Sequence, residues 1–399
     1  MRILLANFAK MVGDSGGLAK VNVAFANEMV RRGHAVTTAY SDDREGDFFY
    51  PLDPRVTAYN LRHFRGQTHL YSLSYKVRRE ILRAFSQKAG RAVNNDFTEK
   101  YLLPHVQTIL EETVPEVIIS FQPASAKSLL SDLHTKIPVI TMSHGDPEDY
   151  FHTYPTAELP SLSLSAVCQV LLPSFAEHLK AHLPEARVEV IGNVVPQYEE
   201  QADLQREKEK YKIIFVGRMV RNHKRPHLLI EAFIKIAAEF PDWTLELWGA
   251  EDDKRYQKEL QAMIERAGLA ERILFCGTTM NVPAVLADAD LYVMPSAYEA
   301  FGLSLAEGMS MGLPVVGYRN CVAVNELIRD GDNGLLAADG ADALAERMAL
   351  LMRDRDLRVR MGAAARGSMR AYAPEIIWTK WENLMREVAA PHDSSKIQS

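Results

Sequence analysis

Short apolar runs alternate with helix-forming segments along most of this 399-residue chain. Buried-type strands that alternate with helices predict a parallel sheet covered by helices on both faces. The runs form two series, so we expect two such sheets in tandem, with a ligand cleft at the carboxyl ends of their strands. The predicted strands are Arg2 to Phe8, Val36 to Tyr40, Val117 to Phe121, Val139 to Met142, Val167 to Leu172, Val188 to Ile191, Ile213 to Val216, Leu245 to Trp248, Ile273 to Cys276, Leu291 to Met294 and Pro314 to Gly317.

A charged, strand-poor stretch from Glu199 to Lys210 separates the two series. A chain of this length is too long for one compact core. We therefore predict a first domain over residues 1–200 and a second over residues 201–374. Residues 391–399 are expected to form a flexible tail.

Composition excludes several classes of protein. A net charge of −6 argues against general binding to nucleic acid. Cys168, Cys276 and Cys321 are widely separated and odd in number, which argues against a disulfide framework or a cysteine zinc site and favours a reducing cytoplasm. No apolar stretch approaches the roughly 18 residues of a membrane span. A cytoplasmic protein is expected.

The segment from Ser296 to Glu307 places two carboxylates on either side of a glycine turn. It joins the strand Leu291 to Met294 to a helical pattern, so the first amides of the helix face outward and suit an anion such as a diphosphate. Glu299 lies at the mouth of the turn, and Glu307 is placed to accept hydrogen bonds from a ribose. The alternative is that Glu299 caps the helix and Glu307 is a solvated helix residue.

A second group of charged residues follows another strand. Gly217 and Arg218 come directly after Ile213 to Val216, and Lys224 follows shortly before a helical pattern near His227. Cations at a strand end neutralise a leaving diphosphate, and could do so in place of a metal. A solvated basic loop is the alternative.

Two features of the first domain are candidates for the same site. Gly16 and Gly17 lie in a glycine loop after the first strand, which lacks both the three-glycine dinucleotide spacing and a P-loop lysine. His144 follows the strand Val139 to Met142 and could donate to a sugar hydroxyl or stabilise developing positive charge through its neighbourhood. The alternatives are a plain turn and a structural histidine.

A metal site is not predicted. Asp288 and Asp290 resemble an acidic metal-binding pair, but they precede the strand Leu291 to Met294 at its amino end. Ligands of an open parallel sheet bind at the opposite end.

The segment from Leu73 to Arg91 has the pattern of a basic amphipathic helix. One face carries apolar side chains, and other faces carry cations. Such a helix could contact anionic lipid, receive an anionic acceptor, or be an ordinary solvated helix. The apolar residues are Leu73, Val77, Ile81 and Phe85, and the cations are Lys76, Arg78, Arg79, Arg83, Lys88 and Arg91.

These motifs together resemble the retaining group 1 glycosyltransferases, enzymes that use nucleotide sugars and have the GT-B architecture. The resemblance covers nearly the whole chain and implies two facing Rossmann-like domains, with a closing helix at about residues 375–390 that returns to the first domain. It rests on Gly16-Gly17, Arg31 to Val36, Gly217-Arg218 with Lys224, Glu299 to Glu307, Asn325 to Ile328 and Asp332 to Leu336.

The resemblance implies roles for individual residues. Arg218 and Lys224 would hold the donor diphosphate, and Glu307 the ribose. Glu299 would position the donor sugar rather than attack it, and His144 would contact the sugar near the reacting carbon. Donor binding would also involve Gly16, Gly17, Gly217, Phe301, Gly302, Leu303 and, in the base-reading segment from Thr278, Val282.

The chain departs from the family pattern at two places. Ala250-Glu251-Asp252 follows Gly249 where the family usually has another glycine, and Asn325 stands where proline is common. The first departure leaves the contacts of that loop open, and nothing functional is drawn from the second.

The function expected from the resemblance is that of a retaining, metal-independent hexosyltransferase without a cofactor. It would move a sugar from a nucleotide diphosphate donor to a saccharide or lipid-linked acceptor in the assembly of lipopolysaccharide, capsule or glycolipid, in the cytoplasm or at the inner face of the membrane. The alternatives are a nucleotide-sugar epimerase or hydrolase and a non-catalytic sugar-nucleotide-binding subunit. The donor base, the sugar and the acceptor are not specified by the sequence.

Overall fold

The computed structural model describes residues 1–14, 16–250 and 253–390. The described chain divides into two compact units: residues 1–191 with residues 378–390, and residues 192–377. Each unit contains one main parallel sheet. The expected tail, residues 391–399, lies outside the described residues.

The first unit is built on a seven-stranded sheet with the order β3-β2-β1-β6-β7-β8-β9. All its pairings are parallel, and β4 and β5 form a separate antiparallel pair. The strands are β1 Arg2–Asn7, β2 Ala35–Tyr40, β3 Thr57–Asn60, β4 His63–Phe64, β5 Gln67–Thr68, β6 Val117–Ser120, β7 Val139–Met142, β8 Val167–Val170 and β9 Val188–Val190.

Helices connect these strands. They are α1 Gly17–Arg31, α2 Leu73–Phe85, α3 Gln87–Phe97, α4 Leu103–Thr113, α5 Pro123–Ala126, α6 Glu148–Thr153, α7 Pro160–Leu164 and α8 Pro173–His182. Two π-helical segments, Thr98–Leu102 and Lys127–Asp132, and a 3₁₀ turn, Thr156–Glu158, complete the unit.

The second unit is built on a six-stranded sheet with the order β12-β11-β10-β13-β14-β15, in which every pairing is parallel. Its strands are β10 Tyr211–Val216, β11 Trp243–Trp248, β12 Ile273–Gly277, β13 Leu291–Met294, β14 Val315–Tyr318 and β15 Leu335–Ala337. Its helices are α9 Pro226–Ile236, α10 Lys254–Arg266, α11 Val282–Ala287, α12 Leu303–Ser310, α13 Val322–Leu327, α14 Ala341–Arg353 and α15 Arg355–Met369, followed by a 3₁₀ turn, Arg370–Tyr372. The last helix, α16 Pro374–Ala389, begins in the second unit and belongs to the first unit from Trp378.

Every predicted strand is present, and the predicted parallel α/β sheets are confirmed. The central strands are recognisable because they are buried on both faces and therefore read as continuous apolar runs. Three features were not predicted: the edge strand β3, the β4-β5 pair and the three-residue β15. β3 reads Thr-Ala-Tyr-Asn and is mostly exposed or half-buried, so it carries little apolar signal.

The boundary between the units differs from the prediction. The first segment of the first unit ends at Ile191 rather than at residue 200. The reason is that residues after Ile191 hydrogen-bond within the second unit. The Val195 amide donates to the Tyr372 carbonyl at 2.9 Å, and the Ser310 hydroxyl donates to the carbonyl of Pro196.

The end of α16 packs on α1. The ring of Phe25 lies 5.1 Å from that of Trp381 in an edge-to-face arrangement. Glu382 accepts from Arg32 Nη1 at 3.2 Å and lies 3.0 Å from His34 Nε2. Arg32 and His34 belong to one of the segments that carry the family resemblance. Their contacts give that segment a structural role, because they fix the closing helix.

The predicted helix from Leu73 to Arg91 is wrong in one respect, because the segment forms two helices that break at Ser86. Ser86 has extended backbone, with φ −159° and ψ 128°, and its hydroxyl accepts from the Ala89 amide. It therefore ends α2 and caps α3. Among the described residues, no helix is long and apolar enough to cross a membrane.

Candidate functional site

The site begins where β10 and β11 end, at two glycines in close contact. Gly249 has φ +152°, and a Cβ atom there would lie 1.9 Å from the carbonyl oxygen of Gly217. The amide of Gly217 in turn donates to the Trp248 carbonyl at 2.8 Å. Position 249 therefore accepts only glycine, and this close approach fixes the start of the loop that carries Arg218 and Lys224.

An ion pair joins this loop to the loop that follows β13. Lys224 Nζ donates to Glu299 Oε1 at 2.5 Å, and the two side chains are only 15% and 8% exposed. The amide of Ala297 also donates to the carbonyl of His223 at 2.8 Å. Because β10 and β13 are parallel neighbours, both loops leave the sheet at its carboxyl edge.

Arg225 holds the β13 loop in place. It has left-handed backbone, with φ +48°, and comes directly before α9. Its guanidinium donates to the carbonyls of Pro295 and Ser296 at 3.0 and 3.3 Å and to Asp339 at 2.8 Å. It also lies over the ring of Tyr318. Arg225 is thus occupied by the protein, so its charge serves the loop rather than a ligand.

His223 belongs to the site but was not singled out from the sequence. Its ring donates a hydrogen bond to the backbone carbonyl of Tyr298, and its pKa is lowered chiefly by burial, which the negative charge of Glu299 partly opposes. Its Nε2 atom is buried without a hydrogen-bond partner among the described residues. The only sequence feature that pointed to His223 was its position next to Lys224. The position of a residue in the sequence does not show in which direction its side chain points.

The turn after β13 leads into α12 as predicted. Gly302, at φ +79°, precedes the first residue of the helix, Leu303, and no side chain caps this end. Phe301 is buried, and its ring packs edge-on against that of Tyr372 at 5.2 Å. The alternative role of Glu299 as a helix cap is therefore not what the structure shows. Glu299, which pairs with Lys224, lies in this turn only four residues before the first residue of α12.

Glu307 lies inside α12 and is buried, so it is not a solvated helix residue. Burial and the negative charge of Glu307 both raise the pKa of the Tyr198 hydroxyl. Tyr198 therefore lies near Glu307 and stays protonated at neutral pH. No pattern in the sequence links these two residues, which are brought together by packing within the second unit.

The predicted base-reading segment ends at a helix start. Val282 is the first residue of α11, and Asn281 caps this helix by accepting from the Ala284 amide at 3.3 Å. Met280 is strongly exposed. The neighbouring departure from the family pattern, Glu251 and Asp252, lies outside the described residues.

His144 lies in the first unit, just after β7, and thus not in the unit of the ion pair. Its ring stacks on Phe121 at 5.4 Å between centroids. Burial lowers its pKa to about 4, and its Nε2 atom has no hydrogen-bond partner among the described residues. The ring is therefore neutral at pH 7, and it can exchange a hydrogen bond but cannot supply a positive charge.

The glycine loop of the first unit leads into α1. Gly16 precedes the helix, and its amide donates to Asp14 Oδ1 at 2.8 Å. A Cβ atom at Gly17 would meet nothing within 4 Å, so its backbone borders open space. Ser15 lies outside the described residues.

The acidic pair before β13 is engaged by lysines. Asp290 is buried and lies 2.9 Å from Lys208 Nζ, and Asp288 lies 2.6 Å from Lys212 Nζ. The described ranges contain no group of three or more histidine, cysteine or acidic residues able to hold a metal ion. Both carboxylates thus act in ion pairs at the amino end of the strand.

The second unit therefore presents cations and helix amides at one edge of its sheet. Arg218 is exposed at the end of β10, Lys224 and Glu299 form a nearly buried pair, and α12 begins next to them. Cations together with unpaired helix amides favour a ligand with a phosphate or diphosphate group. The buried carboxylate of Glu307 adds an acceptor for neutral hydroxyl groups.

Comparison with known proteins is consistent with this arrangement. Residues 196–368 match the family described as Glycosyl transferases group 1. The chain is 25% identical over 369 residues to an exopolysaccharide phosphotransferase of Streptomyces coelicolor, a match that covers 90% of this chain and 36% of that protein. It is 36% identical over 141 residues to the lipopolysaccharide core biosynthesis mannosyltransferase LpsB of Rhizobium meliloti, covering 34% of this chain and 40% of that protein.

The chain thus spans less than half the length of these two curated relatives. Among solved structures, HepE of Anabaena in complex with UDP superimposes with a TM-score of 0.72 at 19% identity, covering 97% of this chain and 100% of that one. At this level of identity the similarity concerns the fold, and it confirms the predicted GT-B fold class.

Proposed function

We propose that this chain, whose residues 196–368 match the group 1 glycosyltransferases, transfers a hexosyl group from a nucleoside diphosphate sugar to a saccharide or lipid-linked acceptor. The C1–O bond to the diphosphate breaks, a new C1–O bond to the acceptor forms, and the nucleoside diphosphate leaves. We propose retention of configuration and no requirement for a metal or cofactor.

The observation that carries the proposal is the 2.5 Å ion pair between Lys224 and Glu299. It joins a cationic loop to the turn before α12 at the carboxyl edge of one sheet. A leaving diphosphate needs positive charge that is already in place when the bond breaks. Arg218, Lys224 and the amides of Phe301, Gly302 and Leu303 would supply it here, with Gly217 allowing close approach.

Glu299 is better suited to position the sugar than to attack it. Its Oε1 atom is engaged by Lys224, which lowers its nucleophilicity because the lone pair is shared with a cation. In the proposed reaction the acceptor hydroxyl attacks from the face of the leaving group, and an oxygen of the diphosphate takes its proton. Glu307 would accept hydrogen bonds from the ribose, and Val282 would border the base.

His144 has a narrower role in this proposal than the sequence allowed. A ring whose pKa is about 4 is neutral at pH 7. We therefore propose that it exchanges a hydrogen bond with a sugar hydroxyl and contributes no charge to the transition state. Gly16 and Gly17 would let a ligand approach the backbone of the first unit.

The names of the relatives support the class of acceptor. The Rhizobium relative is named a lipopolysaccharide core mannosyltransferase, and the Streptomyces relative acts on an exopolysaccharide according to its name. Both names favour a surface glycan as the acceptor. The free thiols Cys168, Cys276 and Cys321 support action in a reducing cytoplasm.

The Streptomyces relative also favours a second candidate, the transfer of a sugar phosphate, because its match covers 90% of this chain. In that reaction the phosphoanhydride of the donor would break at the P–O bond between the sugar-bearing phosphorus and the bridging oxygen. A new P–O bond to the acceptor oxygen would form, and a nucleoside monophosphate would leave. The epimerase, hydrolase and non-catalytic alternatives have no observation in their favour.

Thermal unfolding with UDP-, GDP- and ADP-sugars in the presence of EDTA tests the proposed donor site. A ligand at about 100 times its dissociation constant stabilises the folded state by about 2.7 kcal/mol. We expect one nucleotide class to raise the Tm without metal, and Glu307→Ala and Lys224→Met to abolish the shift. Lys254→Met, at an exposed position of the same unit, is the matched control and should retain it.

A Tm shift that appears only when a divalent metal is added would refute metal independence. A shift that persists in both Glu307→Ala and Lys224→Met would refute the location of the donor site.

A further inference from the structure

Helix α2 exposes a continuous apolar stripe to solvent. Leu73, Val77, Ile81 and Phe85 are 77%, 49%, 54% and 86% exposed. Residues four apart lie above one another on a helix, so these side chains form one row. No residue of this helix is buried. We call this row the α2 stripe.

The opposite side of α2 is the side that packs on the protein. Tyr75 is half-buried, and its ring lies 5.5 Å from that of Phe97. A Cβ atom at Gly90 of α3 would lie 2.8 Å from the Cβ of Arg83, so the two helices are in close contact on this side. The exposure of the α2 stripe is therefore a property of a helix that is already docked. A docked helix needs no apolar outer face for its own stability.

Two cations flank the α2 stripe, because residues three apart are neighbours on a helix: Lys76 lies three residues after Leu73, and Arg78 lies three residues before Ile81. The helix contains four basic residues, Lys76, Arg78, Arg79 and Arg83, and one acidic residue, Glu80. The ammonium of Lys76 makes no hydrogen bond or ion pair with a described residue. Arg78 and Arg79 have exposed partners, Asp96 and Glu80, at 3.1 and 3.0 Å. Exposed pairs of this kind are weak, so these cations can exchange their partners for an anionic surface.

Two cations predicted to contribute to this surface do not. Lys88 Nζ donates to the Phe151 carbonyl at 2.8 Å, and Arg91 Nη1 donates to Thr153 at 3.2 Å. Arg91 also lies 3.9 Å over the ring of Tyr154. Both therefore serve the packing of α3, and the basic surface is confined to α2.

We propose that α2 binds the surface of a membrane that contains anionic lipids. The α2 stripe would enter the boundary between headgroups and acyl chains, while the cations of the same helix would contact lipid phosphates. An apolar row flanked by cations fits this occupant, because a bilayer offers acyl chains and negative charge side by side. A protein partner or a second copy of the chain would have to provide the same combination on its own surface.

Binding of the full chain to phosphatidylcholine vesicles, with and without phosphatidylglycerol, tests the proposal. We expect sedimentation with the anionic vesicles that weakens in high salt. Ile81→Ser should weaken it about tenfold and Lys76→Ala about fivefold. The matched control is Leu164→Ser, because Leu164 is 56% exposed in the same unit but lies outside α2. This control should bind like the unmodified chain.

A local probe reports insertion directly. Phe85→Trp should shift its emission to shorter wavelength when anionic vesicles are added, whereas Leu164→Trp should not. Unchanged Tm values would show that the variants are folded. The proposal is overturned if anionic vesicles do not bind, if Ile81→Ser and Leu164→Ser lose binding equally, or if the α2 stripe instead mediates a dimer that Ile81→Ser dissociates. None of these readouts depends on glycosyl transfer.

Discussion

Breaking the pair between Lys224 and Glu299 should destabilise the second unit far more than an exposed ion pair would. The side chains are 15% and 8% exposed, with 2.5 Å between Nζ and Oε1. At this separation and an effective dielectric constant of about 20, the gross Coulomb energy is about 7 kcal/mol. Desolvation of both charges offsets much of it, so the pair itself contributes only a small net free energy.

Removal of one partner has a larger effect, because it leaves the other charge buried and uncompensated. We expect Lys224→Met to lower the free energy of unfolding by about 3 kcal/mol and Glu299→Gln by about 2 kcal/mol. The double variant should lose about 3 kcal/mol, less than the sum, because it leaves no unpaired charge. The coupling free energy is then about 2 kcal/mol.

Urea unfolding of the four proteins at neutral pH measures this coupling. Because the chain has two units, unfolding can show more than one transition. The free energy is fitted to the transition whose urea midpoint changes on substitution. Arg353 and Glu239 form an exposed pair in the same unit, with side chains 53% and 51% exposed, and serve as the matched control. That cycle should give a coupling below about 1 kcal/mol.

The same substitutions should act in opposite directions on nucleotide binding. Glu299→Gln releases Lys224 from its partner and adds one positive charge to the site, so a nucleoside diphosphate should bind about fivefold more tightly. Lys224→Met should weaken binding. Additive stability changes would refute the reasoning, because they would mean that the pair is not shielded from solvent. Equal losses of affinity in both variants would also refute it, because they would mean that the charges of the pair do not act on the diphosphate.

Two further predictions concern pH and backbone geometry. Burial lowers the pKa of His144 from 6.5 to about 4. Between pH 6.5 and pH 4 this ring is therefore protonated in the unfolded chain but not in the folded one, so the free energy of unfolding falls as the pH drops below about 6.5. The loss should reach about 2 kcal/mol at pH 5, and urea unfolding of His144→Phe should show a pH dependence that is weaker by this amount. Gly249→Ala should cost about 3 kcal/mol of unfolding free energy, because its Cβ would overlap the Gly217 carbonyl at 1.9 Å. Gly268→Ala, at φ +69° with nothing within 4 Å, should cost about 1 kcal/mol.

Equal pH dependence of His144→Phe and the unmodified chain would contradict the burial of a neutral ring. Equal costs at the two glycines would show that the contact between the β10 and β11 ends does not restrict position 249.

The sequence predicted the sheets because their central strands are buried on both sides. It did not predict β3 and β15, since the first lacks an apolar pattern and the second has only three residues. The break at Ser86 was also missed. Serine is a common cap but also occurs inside helices, and no glycine or proline marks this position.

The candidate site was predictable in its parts but not in its contacts. Lys224 and Glu299 could each be placed after a strand. Their pairing depends on β10 and β13 being neighbours, which is a property of the topology. The ring of His223 and the proximity of Tyr198 to Glu307 depend on side-chain packing across long separations in sequence, and sequence periodicity carries no information about such contacts.

The products of the reaction test the central claim most directly. The chain is incubated with the nucleotide sugar that raises its Tm and with a surface-glycan acceptor in EDTA, and the released nucleotide and the fate of the sugar are identified. Glycosyl transfer predicts a nucleoside diphosphate and a glycosylated acceptor free of added phosphorus, with both lost in Lys224→Met. Release of a nucleoside monophosphate with a phosphorylated acceptor would contradict the claim, and so would free sugar or an epimer with the acceptor unchanged.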